Sequence, residues 1–279
     1  MSDSSVMDFF RLDGKVVVIT GGAGFLGIKH AEAVVEAGGR AVLLDINQEK
    51  IDAVAERLRS KYGDVVLGFY CDITNKLSIH EAMSKILSIY GRIDGLVNNA
   101  ANDPKVGPGV DSRKLTRFEN LTEEFWNNDI DVGLTGAFFC SQVFGHYMAM
   151  GAGGVIVNIA SDLAVISPDQ RLYRQLGLDE NSQPVKPVTY SVVKSGLLGL
   201  NRYLSTYWVD RGVRVNAISP GGIFNGQNPH FLEKLEKLIP MGRMAKDHEI
   251  KGALVFLLSD ASSYMTGQNL IVDGGRSIW

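Results

Sequence analysis

The sequence has little cysteine, and it lacks both a long apolar run and a leader-like N-terminus. Its two cysteines, Cys71 and Cys140, each lie in an apolar stretch, which is typical of small buried thiols in a reduced compartment and not of a disulfide framework. No apolar run approaches the roughly 18 residues of a membrane-spanning helix. Acidic residues stand near the N-terminus, where a signal peptide carries positive charge. We therefore expect a cytoplasmic protein with no membrane association.

The chain also lacks an excess of charge of either sign. Lysine and arginine together number 28, against 31 aspartates and glutamates, and the formal net charge is −3. Proteins that bind nucleic acids or membrane surfaces normally cluster basic residues, and neither half of this chain is strongly basic. The five histidines show no metal-ligand spacing. We therefore expect a small-molecule substrate, with no nucleic-acid partner and no metal site.

What the sequence does contain is a regular alternation of short β-branched runs and longer helical patterns. Continuous apolar strands that are each followed by a helix predict a parallel sheet buried on both faces. The predicted strands are Lys15–Thr20, Arg40–Asp45, Val65–Cys71, Ile93–Asn98, Gly154–Ala160, Val213–Ser219 and Leu270–Asp273. The predicted helices are a first segment that ends at Glu36, then Gln48–Lys61, Lys76–Tyr90, Glu123–Met150, Val188–Arg211 and Asp247–Leu258. The predicted fold is α/β, a doubly wound parallel seven-stranded sheet (Rossmann type) with helices on both faces, and residues 1–279 form one domain.

A glycine-rich turn joins the first strand to the first helix. Residues 20–27 read TGGAGFLG. Glycines let the backbone turn tightly and approach a pyrophosphate, and a helix N-terminus offers unpaired N–H groups and a positive dipole. A tight turn can require glycine for steric reasons alone, but the position between first strand and first helix favours nucleotide binding. We expect Gly21, Gly24, Phe25 and Leu26 to contact the cofactor.

Acidic residues follow the second and third strands. Asp45, followed by Ile46, ends the second strand where a carboxylate accepts hydrogen bonds from the adenosine ribose; the alternative is a helix cap. A carboxylate there repels a 2′-phosphate, so NAD is favoured over NADP. Asp72, followed by Ile73, is placed either to accept from the adenine amino group or to cap the helix that begins near Asn75.

The candidate reacting group is Tyr190, which has a lysine, Lys194, four residues later. On a helix this spacing places both side chains on one face. A nearby ammonium favours the phenolate and lowers the pKa of the phenol toward working pH, so that it can serve as general acid or base. Such a pair also arises by chance, and its neighbours must support it. Ser161 lies at the carboxyl end of a predicted strand, where the site of such a sheet opens.

The motifs, taken in order, resemble those of a short-chain dehydrogenase/reductase, of the single-domain branch that includes the 3-oxoacyl-carrier-protein reductases. The shared motifs are TGGAGFLG from Thr20, the acid Asp45, CDIT from Cys71, NNAA from Asn98, NIAS ending at Ser161, YSVVK from Tyr190, RVNAISPGGI from Arg214 and TGQNLIVDGG from Thr266. The resemblance implies that Ser161 polarises a carbonyl and that Tyr190 donates or takes the proton. It also implies that Lys194 binds the nicotinamide ribose and tunes Tyr190.

The same resemblance implies further cofactor contacts. Asn98 and Ala100 would flank the adenosine side, and Pro220 and Ile223 would bound the segment that holds the carboxamide. One departure lies close to the reacting centre: Gly133 stands where the family has an asparagine that holds a water of the proton relay. The sequence does not say which group replaces it.

A second departure concerns the substrate side. Tyr190 follows Ser161 by 29 positions, more than is usual in the family, and the additional residues fall at 168–187. An insertion there reshapes substrate choice and leaves the chemistry intact. It resembles the insertion of dehydrogenases in bacterial surface-sugar pathways, which implies an activated or phosphorylated sugar as substrate.

Basic residues near the insertion suggest the charge of that substrate. The insertion carries Arg171 and Arg174, and the loop after the fourth strand carries Arg113, Lys114 and Arg117. A cluster of such groups at the carboxyl edge of the sheet suits a phosphate or carboxylate. The alternative is that these are solvated loop charges balanced by neighbouring acids.

Three alternative functions stay open. The first is a ketone reductase like the 3-oxoacyl-carrier-protein reductases. The glycine spacing at 21, 24 and 27 is that of an epimerase-like branch, which is the second. Gly133 favours the third, a non-enzymic cofactor-sensing protein on the same fold. Relatives pair the apolar faces of the helices predicted at Glu123–Met150 and Val188–Arg211 across two-fold axes, so we expect a homo-dimer or homo-tetramer.

Overall fold

Seven parallel strands form one sheet in the computed structural model, which describes residues 5–102 and 116–279. The strands are β1 Val16–Thr20, β2 Arg40–Asp45, β3 Val66–Tyr70, β4 Gly95–Asn98, β5 Gly154–Ile159, β6 Val213–Pro220 and β7 Asn269–Val272. Their order is β3-β2-β1-β4-β5-β6-β7. The order reverses between β1 and β4, so the loops that follow these two strands diverge and leave a crevice at the carboxyl edge. The predicted fold class is confirmed.

Helices cover both faces of this sheet. They are α1 Phe25–Glu36, α2 Gln48–Tyr62, α3 Lys76–Tyr90, α4 over residues 123–150, α5 Val188–Tyr207, α6 Pro229–Glu236 and α7 Lys251–Leu258. Helix α6 was not predicted: it is only eight residues long, and although its residues are amphipathic, two turns give a weak periodic pattern. The helix expected from Asp247 begins at Lys251, because the preceding residues form turns in which Lys251 N donates to His248 O. Helix α5 ends at Tyr207 and is followed by a 3₁₀ turn, Val209–Arg211.

The central strand β1 shows why these runs are continuously apolar. Val17 and Ile19 pack into the cluster on one face of the sheet, and Val16 and Val18 pack into the cluster on the other. Alternate residues of a strand point to opposite faces, so a strand covered on both sides needs apolar residues at every position. Burial of each such side chain stabilises the fold by about 1.5–3 kcal/mol.

Helix α4 combines three α-helical segments with two π-helical turns. The turns are Asp131–Thr135 and Ser141–Gly145. A β-carbon on Gly133 would lie 2.5 Å from Cγ1 of Val193 on α5, and one on Gly145 would lie 2.5 Å from Cζ3 of Trp208. Glycine therefore allows α4 to lie directly against α5, which carries Tyr190 and Lys194.

The insertion at residues 168–187 is irregular but well packed. It contains two 3₁₀ turns, Gln170–Tyr173 and Glu180–Ser182. Leu172 is buried in a small cluster with Leu235 of α6 and with residues that follow it. The insertion and α6 thus support each other on one side of the crevice. Of the helices in the two described ranges, none has the length and apolar character needed to span a bilayer.

Candidate active site

The glycine turn lies at the crevice, between the ends of β1 and β4. Gly21 has a φ of +61°, a left-handed conformation that favours glycine, and a β-carbon there would lie 2.9 Å from Cα of Ala100. Gly24 is the N-cap of α1 and places no side chain over the helix start. The N–H groups of Phe25 and Leu26 lie in the first turn of α1, where the helix itself provides no acceptor. They are therefore available to donate to an acceptor from outside the helix.

Asp45 lies beside this turn at the end of β2. One carboxylate oxygen accepts from Ala23 N at 3.1 Å, and the other accepts from Asn47 N at 3.1 Å. The cap of α2 is Asn47, whose side chain accepts from Lys50 N. Asp45 therefore does not cap the helix, and its carboxylate is held next to the glycine turn.

Asp72 occupies the equivalent position after β3. Its Oδ1 accepts from Thr74 N at 2.9 Å and from Thr74 Oγ1 at 2.7 Å, whereas Asn75 caps α3. Of the two predicted roles, capping of α3 is therefore wrong, and the side chain instead stabilises the turn before that helix. Ile46 is 64% exposed at the same edge, and Ile73 is buried.

Asn98 and Ala100 differ in where they point. The Asn98 side chain is buried and donates to Ser141 Oγ at 3.0 Å and to Asn158 Oδ1 at 2.9 Å. It therefore ties β4 to α4 and β5, and it does not reach the crevice as expected for an adenosine contact, because two buried acceptors hold it inside the protein. Ala100 N donates to Thr20 Oγ1, and its backbone packs against Gly21.

The other predicted cofactor residues follow β6. Pro220 ends the strand, and Gly221 N donates to Val272 O at 2.9 Å. Ile223 pairs with Ala245 in an isolated β-bridge. This segment is thus fixed by backbone hydrogen bonds at the carboxyl edge of β6, on the far side of the crevice from the glycine turn.

Tyr190 and Lys194 lie on α5 near the carboxyl end of β5. The buried Lys194 donates from Nζ to Ile159 O at 2.7 Å, and the same Nζ is 5.8 Å from the centroid of the Tyr190 ring. The last residue of β5 thus fixes the ammonium beside the phenol. Two residues further along, Ser161 is buried at the start of a 3₁₀ turn.

A second lysine lies over the same ring and was not identified from the sequence. Nζ of Lys186, in the insertion, is 3.7 Å from the centroid of the Tyr190 ring. The Gln170 side chain accepts from Lys186 N at 2.8 Å and donates to Lys186 O at 3.2 Å. The insertion therefore places a cation on the face of the Tyr190 ring, and no residue spacing in the insertion predicts this contact.

The space next to Gly133 is filled by Val193, so position 133 cannot hold the asparagine side chain that is usual in the family. A small space of about 10 Å³ nearby is lined by residues that include Lys194, Asp129 and Thr189. Both Asp129 and Thr189 are buried, and the threonine hydroxyl donates to the carboxylate. The polar groups that adjoin Lys194 on this side thus come from positions 129 and 189.

A cavity of about 600 Å³ opens near the start of α5. Its wall is formed by residues 116–119, by the turn that follows β5, and by the insertion with the start of α5. Tyr190 is not part of the wall, but its neighbour Ser191 and its contact Lys186 are. Half of the lining residues are apolar, three are charged, and the rest carry hydroxyl or amide groups: Thr116, Ser167, Gln170, Ser191 and Ser195.

The arginines expected to bind an anion have acidic partners. Arg171 pairs with Asp169 at 2.8 Å, Arg174 pairs with Glu180 at 2.5 Å, and Arg117 pairs with Glu119. These geometries favour the alternative of balanced loop charges. Arg113 and Lys114 lie outside the described residues.

The cysteines and metal-ligating residues form no second site in the described ranges. Burial raises the pKa of the Cys71 thiol to about 11 and raises the pKa of the Cys140 thiol well above its usual value, so neither is a reactive thiolate. Across residues 5–102 and 116–279, no three His, Cys, Asp or Glu side chains are grouped to hold a metal ion.

Comparison with known proteins identifies the family. The short chain dehydrogenase model matches residues 15–173, and a model described as enoyl-(acyl carrier protein) reductase matches residues 179–277. A D-threitol dehydrogenase of Mycolicibacterium smegmatis is 36% identical over 98% of this chain and 96% of its own length. An NAD-dependent glycerol dehydrogenase of Listeria innocua is 34% identical over 96% of each.

A solved structure is also similar over its whole length. The gluconate 5-dehydrogenase of Burkholderia cenocepacia, in complex with NADP and tartrate, matches with a TM-score of 0.83 and 27% identity over 98% of this chain and 99% of that one. The chain therefore belongs to the short-chain dehydrogenase/reductase family, and it is an oxidoreductase that acts on CH–OH groups. The predicted family and enzyme class are confirmed.

Proposed function

We propose that this enzyme is an NAD-dependent dehydrogenase of a polyhydroxylated substrate, a sugar or a polyol, with Tyr190 as the general acid/base. The observation that carries the proposal is the placement of Lys194, whose Nζ binds Ile159 O at 2.7 Å and lies 5.8 Å from the Tyr190 ring centroid. The ammonium thus lies near the Tyr190 ring at the carboxyl edge of β5, beside the crevice where ligands of doubly wound sheets bind, and this supports a role for the phenol in proton transfer.

The residues at the crevice fit a dinucleotide. The left-handed Gly21 and the bare N-cap Gly24 leave a space that any β-carbon would narrow, and the start of α1 attracts a pyrophosphate. Asp45, Ile46, Asp72 and Ile73 then lie on the adenosine side. Asp45 would accept from ribose hydroxyls, and its charge disfavours a 2′-phosphate, which supports NAD.

The nicotinamide, when bound, supplies or accepts the hydride. The side chains of this protein handle the proton and the orientation of the substrate. The Tyr190 oxygen takes the proton from the substrate alcohol, or returns it to the ketone in the reverse direction. The Lys194 ammonium stabilises the phenolate through its charge. Ser161 hydrogen-bonds the substrate oxygen and holds the reacting carbon in line.

The substrate class is supported by the cavity and by the named activities of relatives. A volume of about 600 Å³ suits a small molecule, and the hydroxyl and amide groups within the wall can hydrogen-bond a ligand with several hydroxyls. The relatives named above act on threitol, on glycerol and on gluconate. The ion-paired arginines give less support to a phosphorylated sugar.

A substrate panel tests this proposal. The purified enzyme is given NAD or NADP with tetritols, pentitols, hexitols, aldonates, sugar phosphates and nucleotide-activated sugars, and reduced cofactor is followed by absorbance. We expect turnover with at least one neutral polyol or sugar acid, and higher kcat/KM with NAD. Turnover of activated sugars alone, or of acyl thioesters alone, would overturn the substrate class. Cofactor binding without turnover anywhere would favour a sensing role.

The epimerase alternative has its own readout in the same assay. An epimerase regenerates its cofactor, whereas a dehydrogenase accumulates NADH in proportion to the alcohol consumed. Stoichiometric NADH is the expected result.

A further inference from the structure

The Ser161 hydroxyl is held by its own neighbours at the end of β5. Its Oγ donates to Asp162 Oδ1 at 2.9 Å and accepts from Leu163 N at 3.2 Å. Leu163 N also donates to the same carboxylate oxygen at 2.8 Å. The position of Oγ thus depends on where the Asp162 carboxylate is held.

The carboxylate is held in turn by an arginine from the far end of the chain. Arg276 Nη1 donates to Asp162 Oδ2 at 2.6 Å across a separation of 114 positions. The two side chains are 9% and 4% exposed, so this pair lies inside the protein. A buried pair pays a large desolvation penalty, and loss of one partner leaves an uncompensated charge.

The C-terminal segment is built to place that arginine. Asp273 accepts from Gly275 N at 2.9 Å and from Ser277 N at 2.7 Å. Gly274 and Gly275 have φ values of +67° and +89°, which suit glycine and reverse the chain after β7. The segment is thus a defined turn whose geometry directs Arg276 toward β5.

An ion pair that only stabilised the fold would not need to lie next to Ser161. Arg214, by comparison, is a partly buried arginine that donates to Ser262 Oγ and to the backbone carbonyls of Leu257, Ser259 and Met265, none of which belongs to the turn that carries Ser161. Arg276 instead acts on the carboxylate that accepts the hydroxyl proton of Ser161. Arg276 therefore fixes the carboxylate on which the position of Ser161 Oγ depends.

We propose that Asp162 and Arg276 are positioning residues that fix the Ser161 oxygen in the place where it meets the substrate, so that the C-terminal turn supports the catalytic site. The inference rests on the proposed role of Ser161 in the dehydrogenase reaction. It assigns to Asp162 and Arg276 a role in kcat, with little role in the binding of cofactor or substrate.

The test is a double-mutant cycle between Ser161→Ala and Arg276→Met. In the wild-type background, Arg276→Met is expected to lower kcat about 10- to 100-fold, the scale on which misplaced catalytic groups lose rate. In the Ser161→Ala background it should lower kcat less than about twofold, because the group through which it acts is gone. The KM of the substrate and the Kd of NADH, followed by fluorescence titration, should hardly change.

Two further variants keep the test decisive if Arg276→Met folds poorly. Arg276→Lys retains the charge and should recover most of kcat. Asp162→Asn with Arg276→Met removes both buried charges, so the melting temperature should recover while kcat stays low. Arg214→Met is the control for loss of a buried arginine: it should lower the melting temperature and leave kcat per folded molecule unchanged.

Distinct outcomes separate this inference from the proposed function. An equal loss of kcat from Arg276→Met with and without Ser161 would overturn the positioning role, as would normal kcat in the doubly substituted variant. Crystal structures of wild type and Arg276→Met supply a readout independent of turnover, and we expect the Asp162 carboxylate and Ser161 Oγ, which are 2.9 Å apart in the wild type, to move from their wild-type positions. A wild-type enzyme that turns over no substrate would instead refute the proposed function.

Discussion

The two sides of the crevice are built in different ways. On the cofactor side, the glycine turn, Asp45 and Asp72 each lie within a few residues of the strand end that positions them. On the substrate side, Lys186 reaches Tyr190 from the insertion, and Arg276 reaches Asp162 from the C-terminal turn. The residues of the cofactor side are positioned by the local backbone, and those of the substrate side are positioned by contacts between segments that are distant in sequence. Changes on the cofactor side should therefore alter stability and cofactor choice, and those on the substrate side should alter turnover and substrate choice.

The largest expected effect of pH on stability concerns His30, on helix α1 of the cofactor side. Burial lowers the pKa of this fully buried imidazole from 6.5 to about 4. The folded state thus binds fewer protons than the unfolded state between these pH values, so stability is complete above pH 6.5 and is lost as the pH falls toward 4. Urea unfolding should show a loss of roughly 2 kcal/mol from this residue between pH 7.5 and 5.

Two variants isolate this contribution. His30→Phe should remove that part of the pH dependence, whereas His80→Gln, at an exposed position of α3, should leave it in place. Equal pH dependence in wild type and His30→Phe would show that the imidazole does not titrate as its burial requires.

The next effect concerns Asp45 and cofactor choice. Asp45→Asn keeps an acceptor for one of the two amides of Ala23 and Asn47 but removes the charge that repels a 2′-phosphate. The ratio of kcat/KM for NAD over NADP should fall about 10- to 50-fold, which corresponds to about 1.5–2.5 kcal/mol. Steady-state kinetics with both cofactors provide the ratio, and Glu49→Gln on α2 is the matched control. A wild-type preference for NADP would contradict the assignment.

Gly133 offers a test of the packing between α4 and α5, the helix that carries Tyr190 and Lys194. A β-carbon at Gly133 would lie 2.5 Å from Val193, whereas Gly199 on α5 has nothing within 4 Å of its β-carbon position. Gly133→Ala should destabilise the protein by about 1–3 kcal/mol through overpacking, and Gly199→Ala should be neutral or stabilising by up to about 1 kcal/mol. Denaturant unfolding measures both. Partial recovery by Gly133→Ala combined with Val193→Ala would confirm the cause.

The smallest expected effect concerns Lys186 on the substrate side. Lys186→Met removes a cation from the face of the Tyr190 ring, so the acidic midpoint of the kcat/KM profile should move to higher pH. The KM of the substrate should rise about fivefold, or about 1 kcal/mol, while the Kd of NADH stays constant. Lys237→Met, on an exposed lysine, is the control. An unchanged profile would mean that the contact has no role in the reaction.

The same comparison explains what the sequence could predict. The bounds of β2 and α3 were predicted to the residue, because Asn75 and Gly91 mark the ends of α3 and continuous apolar residues mark β2. The glycine turn and the Tyr190–Lys194 pair are likewise local patterns with a fixed geometry.

The substrate side depends on contacts that no local pattern encodes. Lys186 belongs to a segment with no periodicity, and its position depends on Gln170 and on packing against α6. Asp162 and Arg276 are 114 positions apart. Asn98 was identified from its motif, but the direction of its side chain depends on Ser141 and Asn158, which are distant in sequence.

The measurement that tests the central claim most directly compares wild type with Tyr190→Phe at saturating NAD and the best polyol or sugar substrate. The phenylalanine keeps the ring beneath Lys186 and removes only the group that exchanges the proton. We predict that kcat falls by at least about 100-fold, while the Kd of NADH and the melting temperature stay close to those of wild type. Normal turnover by Tyr190→Phe would contradict the account.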